Sequence, residues 1–217
     1  EWVVISVAGQ VPGVQEGQVV GPGKPVNLPP ATQLRLLSAS GKMITLSGPY
    51  AGPVVAVKED NPTEGHAQDV SRLAKFLTER QKADNMLGTM RAVSQGLGPP
   101  APKDPWIILL SESGQQCARP QKVELWRKES SSHEVLMLRS DEGVSAKLVW
   151  AAGENSLELG NDFAVDGRTI QAALGSRIST IKLHLLLRPI DNPLEIASWM
   201  IDQGCNRQAK LYLDSLP

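Results

Sequence analysis

Two cysteines, Cys117 and Cys205, are the residues of this 217-residue chain whose chemistry is most sharply limited by their setting. Cys117 ends the turn-like run Ser113-Gly114-Gln115-Gln116, and Cys205 follows Gly204 at the end of an expected helix. The pair suits one disulfide spanning 88 residues, and so an exported protein. Two unrelated buried thiols in a cytosolic protein is the alternative. A CxxC redox motif is absent, and His66, His133 and His184 lack the spacing of zinc ligands. No metal and no cofactor is therefore expected.

Other groups able to do chemistry have plainer readings. Glu59-Asp60 and Asp141-Glu142 are adjacent carboxylates that point to opposite faces of an extended segment, so they read as solvated turns. Ser111-Glu112-Ser113-Gly114 lacks the first glycine of a nucleophile elbow. Gly21-Pro22-Gly23-Lys24 lacks phosphate-loop spacing, and Pro22 removes an amide that would cradle phosphate. Asn61-Pro62-Thr63 is barred from glycosylation by its proline. No catalytic residue is nominated. Five Trp stand against two Phe and two Tyr. Trp106 and Trp199, among apolar neighbours, are expected in a core. Trp126 is opposite in facing to Val123 and Leu125, and is the candidate for a binding surface.

The elements that must position these residues fall into three segments. Over 1–57, short β-type runs alternate with Gly/Pro turns, and 33–46 is the clearest hairpin, turning at Ser40-Gly41. Residues 58–104 read as a helical connector. Val70, Leu73, Ala74 and Leu77 form the apolar stripe of a helix over about 66–84, and Gly96–Lys103 is the linker. Residues 105–217 are strand-rich, with expected strands at 106–110, 122–127, 135–138, 146–150 and 180–185, suited to a β-sandwich. Asn192-Pro193-Leu194-Glu195 starts a helix, Gly204 ends it, and a second runs from about Asn206. The two are expected as an αα-hairpin clamped to the sandwich edge by the disulfide.

Hydrophobic residues are 41% and charged residues 21%, enough for a packed core. The net charge of −1 with dispersed Lys and Arg argues against a nucleic-acid partner. No apolar run is long enough to span a membrane. Glu1 stands directly before the strand residues Trp2-Val3-Val4-Ile5, a start that removal of a signal peptide or a cut at a chosen boundary would leave.

The run Leu34-Arg35-Leu36-Leu37-Ser38-Ala39-Ser40-Gly41-Lys42-Met43-Ile44-Thr45-Leu46-Ser47-Gly48-Pro49 resembles the β-module of periplasmic FecR-type proteins. Pro120-Gln121-Lys122-Val123-Glu124-Leu125-Trp126 and the strands after it are similar to Ig-like domains found beside that module. The chain thus resembles exported proteobacterial proteins that join a FecR-like β-module to an Ig-like β-sandwich. The resemblance implies a periplasmic place and a role in assembly or signal relay, and it carries no functional residue. The expectation is a mainly β fold with α (β + α), non-enzymatic, periplasmic or secreted, acting on a protein partner. A carbohydrate- or peptidoglycan-binding module is the first alternative, and a hydrolase whose His, Ser and carboxylate converge in one cleft is the second.

Overall fold

The structure, a computed structural model, describes residues 1–54, 64–87 and 101–217. Glu59-Asp60, Asn61-Pro62-Thr63 and Gly96–Pro100 of the expected linker lie outside the described residues. Among the described residues the fold is mainly β with three helices, and the chain divides into two compact units.

The first unit holds residues 1–94, 190–201 and 216–217. Its strands are β1 (Trp2–Ala8), β2 (Val19–Val20), β3 (Pro25–Leu28), β4 (Gln33–Ser38), β5 (Met43–Ser47) and β6 (Tyr50–Pro53). They form an antiparallel sheet in the order β2-β1-β4-β5 and a separate β3–β6 pair. Strand alternation sends Trp2 and Val4 into a core with Val26, Leu28, Leu34 and Leu36. Val3 and Ile5, on the opposite face, are also fully buried. The physical reason is helix α1 (Glu64–Leu87), which packs on β1 and buries Val70, Leu73 and Leu77. The stripe expected from the sequence is the buried face, but the helix belongs to this unit and is no free connector.

Helix α2 (Pro193–Asp202) falls almost wholly in the same unit. Asn192 caps it: its Oδ1 accepts from the Leu194 amide at 2.9 Å, and its Nδ2 donates to the Ala39 carbonyl at 3.2 Å in the β4–β5 turn. Gly41 in that turn has φ +82°, and a Cβ there would stand 2.4 Å from Asn192 Oδ1. The Ser40-Gly41 turn is thus both the hairpin bend and the seat of a helix start. Ser198 on α2 is buried, accepts from Arg72 at 2.6 Å and donates to Asp69 at 2.6 Å on α1.

Gly17 shows how closely the β1–β2 loop approaches α1. It has φ +81°, and a Cβ would lie 2.6 Å from the Ala74 carbonyl oxygen and 2.7 Å from the Thr78 amide nitrogen. Both obstacles are helix backbone, so they cannot rotate away. Gly17→Ala is expected to destabilise the protein by about 2–3 kcal/mol, strain and overpacking combined, read as a lower urea midpoint at unchanged slope.

The second unit holds residues 95–189 and 202–215. It contains β7 (Ile108–Leu109), β8 (Gly114–Ala118), β9 (Glu124–Trp126), β10 (Glu134–Ser140), β11 (Ser145–Trp150), β12 (Ser156–Glu158), β13 (Thr169–Leu174), β14 (Arg177–Leu185) and α3 (Asn206–Ser215). A five-stranded sheet runs β11-β10-β13-β14-β8, and a three-stranded sheet runs β12-β9-β7. Leu125, Leu136, Leu138, Trp150, Ile170, Ile181 and Leu183 share one core built from both sheets, so the unit is a two-sheet β structure. Two neighbouring pairs, β8 with β14 and β7 with β9, are parallel. The two terminal helices do not close one unit as a hairpin, because α2 buries its face in the first unit while α3 belongs to the second. Gly204, with φ +77°, ends α2.

Candidate functional site

Cys117 and Cys205 are disulfide-bonded with Cα atoms 6.0 Å apart, and both are buried. The bond lies wholly inside the second unit, joining β8 to the first residue of the α3 entry. Cys205 is the N-cap position of α3, since its carbonyl accepts from the Ala209 amide at 2.9 Å. One turn further, the buried Gln208 side chain closes the outer edge of β8. Its Oε1 accepts from the Cys117 amide at 2.7 Å, and its Nε2 donates to the Cys117 and Pro105 carbonyls, each at 2.7 Å. A side-chain amide thus imitates a neighbouring strand and protects an edge that would otherwise be open. Gln116 does similar work towards β7, exchanging bonds with Leu109. Neither glutamine announces this role in the sequence; only the burial of an amide between two backbones reveals it.

The tryptophans sit differently from the sequence reading at three positions: Trp126, expected at a surface, and Trp106 and Trp199, expected in a core. Trp126 is only 7% exposed, so it offers no binding surface. It lies on β9, the middle strand of the three-stranded sheet, and that strand is buried on both faces. Period-two reasoning assigned one face to solvent, which fails for a strand covered on two sides. Trp2 and Trp150 are fully buried. Trp106 is half-buried, stacked beneath the Arg119 guanidinium at 4.6 Å and edge-on to Tyr212 at 6.1 Å. Trp199 is also half-buried.

The histidines are spread over both units. His66 contacts the Glu195 carboxylate at 2.9 Å in the first unit, and Asp69 and Ser198, each three residues further along the same two helices, place the Ser198–Asp69–Arg72 group one helical turn away. His133 is exposed in the second unit, and His184 bonds Gln115 at 2.6 Å there. Burial holds the His184 imidazole below its usual range against the opposing pull of Asp166. Asp141 accepts from the Thr169 amide at 3.1 Å, and Glu142 pairs with Arg168, so both hairpin carboxylates serve the turn between β10 and β11. No group of metal-ligating side chains occurs among the described residues.

Missed by sequence reasoning is the outer face of the five-stranded sheet. Alternation sends Leu136, Leu138, Ala172, Ile170 and Ile181 into the core, which turns their neighbours outward. Met137 is 55% exposed, Val149 70% and Ile178 75%, and Val135 is also open. Lys147, Met137, Ala173 and Ile178 are successive register partners across β11, β10, β13 and β14, one continuous row. The next row is Ser145, Arg139, Gln171 and Thr180. Between them is a shallow dish of about 580 Å³ floored by Met137, Arg139, Ala173 and Ile178. A signal was present in the sequence: Val135, Met137 and Val149 break the polar side of two otherwise alternating strands.

No protein-family model matches the chain, and no curated protein matches it.

Proposed function

We propose that this is an exported protein whose work is protein–protein interaction in the bacterial envelope, in assembly or signal relay, without chemistry of its own. In this reading the first unit is a FecR-like β-module and the second an Ig-like sandwich. The observation that carries the proposal is the group of apolar side chains on the open sheet face, with Met137, Val149 and Ile178 more than half exposed. Monomeric proteins seldom leave such side chains adjacent unless something docks on them. A buried disulfide closing 88 residues supports export, since such bonds persist in oxidising compartments. Among the described residues, no helix is long and apolar enough to cross a membrane.

The test is a photo-crosslinking side chain at Met137, with the exposed helical position Glu79 as control. In cells exporting the full chain, a discrete heavier adduct at 137 and none at 79 is expected. Absence of an adduct at 137, or turnover of a substrate abolished by one point substitution, overturns the reading.

A further inference from the structure

We infer that the outer face of the five-stranded sheet takes an acidic amphipathic helix of a partner protein, its apolar stripe laid along the Met137–Ala173–Ile178 row. This rests on the interaction reading above and gives that partner its chemistry.

The dimensions come first. Four strands at about 4.8 Å spacing make the row from Lys147 to Ile178 roughly 14 Å long, the rise of about ten helical residues. Val135 and Val149, paired in register, widen the apolar strip on one side. A single helix stripe, one residue wide every three or four positions, matches a strip of that shape.

Charge decides the class of helix. Every residue that β10, β11, β13 and β14 turn to this face can be read from the alternation. The ionisable ones are Arg139, Lys147, Lys182 and His184, with no carboxylate. Arg139, Lys147 and Lys182 form no ion pair among the described residues. Of the nearby acids, Asp141 follows β10, lines a depression with Arg139, Thr169 and Gln171 and accepts from the Thr169 amide; Glu142 pairs with Arg168; and Asp166 lies near enough to act on His184. In a chain of net charge −1, two adjacent rows whose ionisable members are Arg139 and Lys147 alone are a local departure from the average. A second copy is a poor occupant, because an isologous contact would set these cations against themselves. Carboxylates flanking an apolar stripe satisfy both the strip and its border.

The test uses the full chain and fluorescein-labelled synthetic helical peptides in anisotropy titrations. One peptide has a leucine stripe flanked by glutamates; its twin has lysines in their place. The glutamate peptide is expected to bind at least about tenfold tighter than the lysine twin, and to weaken as salt rises. Met137→Glu and Ile178→Glu should abolish binding. The Arg139→Glu/Lys147→Glu pair should reverse the preference towards the lysine twin. All substituted positions are solvent-facing, and an unchanged thermal midpoint confirms that each variant folds.

Equal binding of the two peptides overturns the inference. So does binding to phosphatidylglycerol-containing vesicles through the same side chains, which would make the occupant a lipid surface. Concentration-dependent self-association lost in Met137→Glu overturns it as well, by making the occupant a second copy. A Met137 cross-link with no preference for the acidic peptide would sink this inference and leave the interaction reading standing.

Discussion

Replacing Cys117 and Cys205 together by alanine is expected to lower stability by about 4–5 kcal/mol, because the bond closes an 88-residue loop. For a chain of this size that is a fall of roughly 10–20 °C in Tm. Two effects add. The unfolded chain regains the freedom of the open loop, and the α3 entry is released from β8. The second effect reaches further than the bond, since Gln208 seals the β8 edge only while α3 is held there. Hydrogen exchange should therefore rise at the Cys117 amide in the double variant, ahead of the β10–β13 amides. Gln208→Ala with the disulfide intact is the companion measurement. It should expose the same amide at a smaller cost, about 1–3 kcal/mol for the unsatisfied backbone groups left buried. Since both cysteines are buried, reductant should act on the native protein only as fast as the unit opens. Rapid labelling of two free thiols in the folded protein would remove the disulfide and the main support for export.

Arg127→Met is expected to cost about 3–5 kcal/mol, read as a lower urea midpoint at constant slope. The Arg127 side chain is 2% exposed. Its guanidinium donates to the carbonyls of Glu154 at 3.1 Å, Ser132 at 3.1 Å and Ala151 at 2.7 Å, and to the Glu134 carboxylate at 3.2 Å. It also rests 5.0 Å from the centre of the Trp150 ring. One planar fork thus ties the 128–133 loop to the 151–155 turn, and lysine, a single point charge, cannot reproduce it. Methionine fills similar space but leaves three carbonyls without a donor. Glu134→Gln should be far milder, below about 1 kcal/mol, because that side chain is 35% exposed and water can replace its partner. Comparable losses in the two variants would show that the ion pair, and not the carbonyl network, holds the loops.

Arg127 also shows where reading by residue type stops. Its position at the end of the alternating run 122–127 looks like an ordinary solvated strand end. The charge is buried only because four acceptors converge on it, two of them, the Ala151 and Glu154 carbonyls, 24 and 27 residues away. β8 makes the same point: Gly114-Gln115-Gln116-Cys117-Ala118 reads as a turn, yet it is a strand. It becomes one by parallel pairing with β14 and by the Gln208 seal, both remote in sequence. β13 (Thr169–Leu174) and the short β2, β3, β6 and β12 were likewise not foreseen. Pairs and bridges that short have no periodicity to detect.

What local physics governs was legible. The 33–46 hairpin appears as β4 and β5 about Ser40-Gly41, the 66–84 stripe lies within α1, and the Asn192-Pro193 start and Gly204 stop bound α2. Each depends on spacing, capping or turn chemistry contained in a few residues. The pairing of the two cysteines was also legible, because there were only two and each stood beside a turn. Tertiary structure alone decided which surfaces are covered. It buried both faces of β9 and so took Trp126 from the surface. It placed α2 and α3 in different units. It left one face of the five-stranded sheet open, with Met137, Ala173 and Ile178 in one row. A sequence records the period of a strand but not what lies over each face, because burial is set by segments far away along the chain.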